Sequence, residues 1–198
     1  MHLPQAALDL VAPHCDIIDR MAAIPPSARV RGVYFRNFER ELERRGLLDA
    51  YYELFPEKQR WSISYHPLGV YMLRLACAGA LVTSPERLHE GMHELARTQS
   101  TYIAKSILGR ALIRLLSRDP VRLCEQGLAT RRQTVSYGHW SLIRHSEREL
   151  EMRYRNEYLW IESYIAGAAQ GTFESCGIVP MLETSLSDRF NGATTIRW

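Results

Sequence analysis

The sequence contains no long apolar run. Its longest such stretch, Ala76–Val82 (ACAGALV), is far shorter than the ~20 residues that a membrane-spanning helix needs. The N-terminus also lacks a basic leader followed by an apolar segment, the pattern of a secretory signal. We therefore expect a cytoplasmic protein without a membrane span.

Cysteine is scarce and scattered along the chain. The four cysteines are Cys15, Cys77, Cys124 and Cys176, and no two of them form a Cys-x-x-Cys pair. Two of them lie inside apolar helical patterns, where a thiol behaves as a small hydrophobic group. This distribution predicts free buried thiols.

Several functional motifs are also missing. The sequence has no G-x-S-x-G nucleophile elbow and no glycine-rich phosphate loop between a strand and a helix. A net charge of +3 falls short of the dense basic surface of a dedicated nucleic-acid-binding protein. We therefore expect neither nucleophilic catalysis nor a nucleic-acid partner.

The chain does have the composition of a globular protein. Hydrophobic residues make up 46% of its 198 positions, enough to bury a real core. The rigid segment Ile24-Pro25-Pro26-Ser27 interrupts the pattern near the N-terminus. We predict a helical extension or strap at 1–26 and a single domain at 27–198.

Helical periodicity dominates the first two thirds of the chain. It predicts two helical pieces from Val33 to Leu54 with a break at Gly46, and a buried helix within 62–82. Ser84-Pro85-Glu86 has the pattern of a helix start, which predicts a helix to about Arg97. A further helix is predicted at 101–118, where Asp119-Pro120 ends it.

In the remaining third of the chain, apolar and polar residues alternate as they do in half-buried strands. Val135–His139 and Leu150–Tyr154 predict two half-buried strands joined by a turn at His145–Arg148. A helical pattern follows, and Asn191-Gly192 then predicts a second tight hairpin. The predicted fold is α+β, with N-terminal helices packed with a C-terminal four-stranded antiparallel sheet in strand-strand-helix-strand-strand order.

Five segments together resemble a known family. In order they are RGVYF (31–35), YHPLGVYMLRLACAGALV (65–82), SILGRALIRLLSRDP (106–120), VSYGHW (135–140) and YIAGAAQGTFESCG (164–177). Their order and spacing resemble a large myxobacterial paralogous family of unknown function over residues 27–198. That family is similar in layout to heme nitric-oxide-binding domains and 4-vinyl reductase domains, which act in ligand sensing. The resemblance implies a sensor-like domain.

The same resemblance raises the question of a cofactor. Heme nitric-oxide-binding domains carry a helical proximal histidine and a Tyr-x-Ser-x-Arg motif that holds the heme propionates. This sequence contains no such triplet. The cysteine and histidine clusters of some 4-vinyl reductase relatives also have no counterpart here. We therefore expect no cofactor, and heme is disfavoured.

One motif carries a specific chemistry, namely H-E-x-x-H at residues 89–93 (HEGMH). On a helix, His89 and His93 project the same way and can share Zn²⁺, with Glu90 as a base. No third ligand is specified, and helical projection places Glu90 on the solvated side. A zinc-dependent hydrolase is the alternative function, but we favour two partly exposed histidines on an amphipathic helix.

Two further sets of residues are candidates for ligand binding. Arginines at four-residue spacing form a ridge that suits phosphate or carboxylate, although a solvated helix face has the same pattern. Aromatic residues around the first hairpin can line an apolar pocket or fill the core, and both uses give the same pattern. The candidate ligand-binding residues are Arg110, Arg114, Arg118, Tyr137, Trp140 and Tyr154.

These observations favour a non-enzymatic sensory or regulatory domain in bacterial signalling. It is expected to bind a small-molecule ligand or a partner signalling protein and to form a homodimer. A purely structural interaction module without a ligand is a third alternative.

Overall fold

A computed structural model describes residues 4–56, 64–105 and 119–198, with side chains for all of these except 100–105. The predicted helix at 101–118 lies mostly outside the described residues. The chain divides into two compact units, Met1–Leu95 and Ala96–Trp198. The boundary between an extension at 1–26 and a domain at 27–198 stays a prediction.

The first unit begins with four helices. Helices α1 (Gln5–Val11) and α2 (Ile17–Ala23) precede the proline-rich break, and α3 (Val33–Arg44) and α4 (Leu48–Leu54) follow it. Gly46 separates α3 from α4 with φ +71°, a left-handed conformation that favours glycine. The two predicted helical pieces with a break at Gly46 are therefore confirmed.

Helix α5 (Leu68–Val82) is buried on nearly every side, as predicted. It begins later than the sequence indicates, because Tyr65–Pro67 forms a short strand, β2. This strand pairs antiparallel with β1 (Arg29–Arg31) in a two-stranded sheet. Strands of three residues are too short to show a period, so the sequence pattern does not reveal this sheet.

A 3₁₀ turn at Pro85–Arg87 leads into helix α6 (Leu88–Lys105). The predicted helix start is confirmed, although the Ser84 side chain makes no capping hydrogen bond to the backbone. Among the described residues, no single helix has the length and apolar composition of a membrane span. Two consecutive helical segments reach that length and composition only when they are taken together, and their axes are bent by 114°; they are Leu68–Val82 and Pro85–Gln99.

The second unit contains a helix that the sequence pattern did not predict. Helix α7 (Pro120–Thr134) begins where the sequence indicated only the end of the preceding helix. The Asp119 carboxylate accepts hydrogen bonds from the backbone N–H groups of Val121 and Arg122 at 3.1 and 3.2 Å, so it caps α7.

The sheet has the predicted topology. All its pairings are antiparallel and the strands lie in the order β3-β4-β6-β5. A π-helical turn and α8 separate the two hairpins, which confirms the strand-strand-helix-strand-strand order. The bounds are β3 His139–Ser146, β4 Glu149–Arg155, π turn Ile161–Ile165, α8 Ala166–Glu174, β5 Met181–Asp188 and β6 Asn191–Arg197.

Two local predictions within the sheet were wrong. The first strand begins at His139 and not at Val135, because α7 continues through Thr134. The second turn is made by residues 189 and 190, since Asp188 already pairs with Asn191. The Asp188 carboxylate accepts the Phe190 N–H at 2.8 Å and thereby stabilises the turn.

The two faces of the sheet differ in character, as strand alternation requires. The buried face carries Leu150, Met152, Tyr154, Thr194 and Ile196. The opposite face carries charged side chains that pair across strands. Arg197, for example, lies 3.3 Å from a Glu149 carboxylate oxygen and 3.1 Å from one of Glu183.

Candidate functional site

The aromatic residues predicted for ligand binding come together around an arginine. Trp140 and Tyr154 are register partners on β3 and β4, with ring centroids 5.1 Å apart and an edge-to-face angle of 78°. The Arg131 guanidinium, on the last turn of α7, lies 4.3 Å from the centre of the Trp140 ring and 5.0 Å from that of Tyr137. We call these four residues and Glu157 the Arg131 cluster.

Glu157 is the anion at the centre of this cluster, and it is fully buried. One of its carboxylate oxygens accepts hydrogen bonds from Arg131 Nη2 at 2.5 Å and from Trp140 Nε1 at 2.8 Å. The other accepts the backbone N–H of Leu159 at 3.0 Å. Arg131 Nη1 also donates to the Tyr137 carbonyl at 2.9 Å. These hydrogen bonds offset the desolvation cost of burying the carboxylate.

Unusual backbone conformations lie on either side of the contact between Arg131 and Glu157. Asn156, immediately before it, has φ +53°, in a region that non-glycine residues rarely adopt. Gly138 has φ +66°, and a Cβ atom there would lie 3.0 Å from the Asn156 carbonyl oxygen and 3.1 Å from Arg131 Nη2. The Asn191 side chain accepts the Asn156 N–H at 3.0 Å. Glycine at 138 therefore gives the arginine room to reach Glu157.

A π-helical turn lies just beyond the cluster, at Ile161–Ile165. The Ile165 N–H donates to the Trp160 carbonyl at 3.1 Å, five residues back along the chain. π-turns and left-handed non-glycine residues often occur at functional sites, because they are retained only where the surrounding structure supports them. Asn156–Ile165 therefore combines two such features with a buried carboxylate.

Tyr154 adds a hydroxyl group to the buried face of the sheet. Its side chain is 1% exposed, and burial raises the pKa of the phenol well above its usual range. Its oxygen makes no hydrogen bond of ordinary geometry with the described residues, although the nearby Thr194 hydroxyl acts to lower its pKa. Thr194 in turn pairs with Thr184 at 3.1 Å. Hydroxyl groups therefore extend from β4 across β6 to β5.

The Glu157 carboxylate is held by three donors. The Tyr154 phenol is protonated near neutral pH, as an ordinary phenol is, and its raised pKa keeps it protonated at higher pH as well. Neither Arg131 nor Glu157 was predicted as a site residue. The two are 26 positions apart, and one sequence does not show which charges pair.

The other predicted site residues fall elsewhere. Arg110, Arg114 and Arg118 lie outside the described residues. His89 and His93 are half-buried on α6, and Glu90 is exposed and pairs with Arg87. Across 4–56, 64–105 and 119–198, no three His, Cys, Asp or Glu side chains come together as a metal site would require.

The glycine inside H-E-x-x-H has a packing role. A Cβ atom on Gly91 would lie 2.0 Å from the carbonyl oxygen of Gly79, on α5. Conversely, a Cβ atom on Gly79 would lie 2.7 Å from the Leu88 carbonyl oxygen. Helices α5 and α6 therefore touch backbone to backbone at the centre of the motif, which accounts for one of its residues without any metal.

His66 is a half-buried imidazole in the first unit. Its ring packs edge-to-face on Phe35, with centroids 5.4 Å apart. Burial lowers the pKa of His66 below its usual value, so the ring is neutral near pH 7. A neutral imidazole is the form that binds a metal ion.

Several solved H-NOX structures have a fold similar to this chain. An Fe(II) unliganded H-NOX protein from K. algicida has a TM-score of 0.66 and 14% identity, covering 84% of this chain and 95% of that one. A mutant of T. Tengcongensis H-NOX has a TM-score of 0.58 and 13% identity, covering 84% and 96%. At this identity the likeness shows the fold alone.

A third solved structure bears on the cofactor. It is described as "Probing the function of heme distortion in the H-NOX family", with a TM-score of 0.58 and 11% identity, covering 85% of this chain and 94% of that one. The expectation of no cofactor, with heme disfavoured, was therefore wrong, because structural neighbours of this chain are described by their heme. That expectation depended on the absence of the Tyr-x-Ser-x-Arg motif from the sequence. None of these proteins is described as a zinc-dependent hydrolase.

The predicted resemblance to heme nitric-oxide-binding domains is confirmed at the level of fold. No curated protein is similar enough in sequence to serve as a relative. A family model does match residues 24–197, which is nearly the whole chain. The chain therefore belongs to the family described as "Protein of unknown function (DUF2378)".

Proposed function

We propose that this chain is a sensory domain that binds heme. The observation that carries the proposal is the extent of the fold match. H-NOX structures align over 84% of this chain and 95% of their own length, so the likeness includes the whole domain and not one supersecondary unit. One of these structures is described by its heme redox potential and porphyrin distortion, and it is covered over 99% of its length.

The donor chemistry of the first unit fits an iron porphyrin. Iron is held in heme proteins by a protein side chain, most often an imidazole. Among the described residues of this unit, three histidines have half-buried imidazoles, namely His66, His89 and His93. Burial keeps His66 neutral by lowering its pKa, which leaves a nitrogen lone pair for coordination. When bound, heme supplies an iron atom that can coordinate a small gaseous ligand.

The described part of the second unit offers no buried histidine as an iron ligand. Its described histidines, His139 and His145, are exposed on the sheet, and its buried arginine is already engaged by Glu157. We therefore assign the iron ligand to the first unit.

The same proposal places the chain in bacterial signalling. A sensor of this kind acts by shifting a conformational equilibrium, because its ligand binds one state more tightly than another. The readout would then be altered binding to a partner signalling protein or to a second copy of the chain in a homodimer.

Hemin titration of the full chain tests the proposal. We expect a saturable 1:1 Soret absorbance change that one of three variants, His66→Ala, His89→Ala or His93→Ala, abolishes. His139→Ala is the matched control, because His139 is exposed. Equal binding by all four variants would show that heme only adheres to the surface, and the proposal would fail.

A further inference from the structure

We propose that Arg131 and Trp140 form a carboxylate-binding site that the chain closes with its own Glu157. In this view Glu157 is an internal ligand, and a small molecule that carries a carboxylate binds when Glu157 leaves. The site lies entirely within the second unit and does not involve heme.

The donors around Glu157 match the needs of a carboxylate. A guanidinium N–H and an indole N–H converge on one oxygen at 2.5 and 2.8 Å, and a backbone N–H reaches the other at 3.0 Å. Arginine suits carboxylates because its donors are planar and permanently charged. These donors come from α7, β3 and the segment after Glu157, so their convergence is a property of the folded chain.

Arg131 makes several contacts that do not depend on Glu157. Arg131 stacks on the Trp140 ring at 4.3 Å and on the Tyr137 ring at 5.0 Å. It also donates to the Tyr137 carbonyl at 2.9 Å. None of these three contacts involves the carboxylate, so all three can keep the guanidinium in place after Glu157 leaves.

The segment that carries Glu157 begins and ends in unusual backbone conformations. It begins at Asn156, with φ +53°, and leads into the π turn at Ile161–Ile165. Both conformations cost free energy relative to ordinary backbone, and this cost is recovered when the segment is released. Glu157 itself is tied to the neighbouring turn by one backbone hydrogen bond, from its N–H to the Phe190 carbonyl at 2.9 Å.

The site can be reached from solvent. The Arg131 side chain retains 10% exposure, and Trp140 is only partly buried. The Glu157 carboxylate is part of the same chain and therefore has a high effective concentration at the Arg131 and Trp140 donors. A carboxylate in solution competes poorly with it for these donors in the wild type. Removing the Glu157 side chain should therefore unmask the site.

Acetate is the probe for the test. Thermal unfolding of the full chain would be measured in sodium acetate and in sodium chloride of equal ionic strength. We expect acetate to raise the melting temperature of Glu157→Ala above its value in chloride, because a ligand of the native state stabilises it. The wild type should melt at the same temperature in both salts.

Two further variants make the result specific. Glu157→Gln fills the site with an uncharged side chain of the same shape, so acetate should not stabilise it. Glu157→Ala combined with Arg131→Gln lacks the cation and should lose the acetate effect. If Glu157→Ala does not fold in chloride, its refolding yield in acetate replaces the melting temperature as the readout.

The proposal is overturned if acetate fails to stabilise or refold Glu157→Ala. It is equally overturned if acetate acts as strongly on Glu157→Gln or on the double variant. Heme binding by the wild type has no influence on either result, so this inference and the proposed function fail separately.

Discussion

Gly171 lies directly against the backbone of Arg97, where α8 meets the part of α6 that belongs to the second unit. A Cβ atom on Gly171 would be 2.1 Å from the Arg97 carbonyl oxygen, a distance that no real Cβ can adopt. The Arg97 guanidinium also reaches the Glu174 carboxylate at 2.6 Å, one turn further along α8. Glycine at 171 therefore sets how closely the two helices approach.

The first prediction concerns this contact. Gly171→Ala should lower the free energy of unfolding by ~1–3 kcal/mol, because one added methyl group must push two backbones apart. Urea unfolding measures the change. Gly127→Ala is the control, since a Cβ there meets nothing within 4 Å. Alanine should stabilise that helical position by ~0.5–1 kcal/mol, and a loss at both sites would contradict the packing argument.

The second prediction concerns the buried ion pair of the Arg131 cluster. Glu157→Ala should lower the free energy of unfolding by ~3–5 kcal/mol, because it leaves a buried guanidinium without its anion. Glu183→Ala removes an exposed carboxylate that also pairs with an arginine, Arg197, and should cost ~0–1 kcal/mol. Similar urea midpoints for the two variants would show that the cluster is not a buried ion pair in solution.

A third prediction is a pH dependence that arises from His66. Burial lowers its pKa in the folded state, so the unfolded chain binds the proton more readily. Above the pKa of His66 in the unfolded chain, ~6.5, this group does not reduce the free energy of unfolding. As the pH falls through that value toward the folded pKa, the unfolded chain takes up the proton first, and the free energy of unfolding decreases. His66→Gln should therefore lose less stability than the wild type between pH 7.5 and 5.5. A parallel decline in both proteins would exclude His66 as the cause.

A fourth prediction concerns the thiols, all four of which are free. Burial raises the pKa of Cys77 and Cys124 to about 12 and that of Cys15 to about 11. Because the thiolate is the reactive form, Cys77 and Cys124 should resist iodoacetamide in the native protein. Cys15 and Cys176 are less buried and should react first. Mass spectrometry after labelling, with a denatured control in which all four react, measures the order.

Much of the fold is visible in the sequence because its elements have clear periods. Leu150, Met152 and Tyr154 alternate along β4 and are buried as predicted. Helix α7 was missed because Asp119-Pro120 serves both as an end signal for one helix and as a start signal for the next. The β1–β2 sheet was missed because three-residue strands have no measurable period.

The candidate site was less predictable for a physical reason. Tyr137, Trp140 and Tyr154 could be named because aromatic residues around a hairpin are conspicuous. The polar centre could not, because the pairing of Arg131 with Glu157 depends on the left-handed backbone at Gly138 and Asn156. Heme was disfavoured because the sequence lacks a linear motif, whereas the likeness to heme proteins lies in the fold.

Hemin binding to the purified full-length chain tests the central claim most directly. Spectral titration should give a saturable 1:1 complex with a Soret band, and the complex should melt at a higher temperature than the free chain. The band should be lost when the coordinating histidine, His66, His89 or His93, is replaced by alanine. A linear, non-saturating absorbance change with an unaltered melting temperature would contradict the assignment of this chain as a heme-binding sensor.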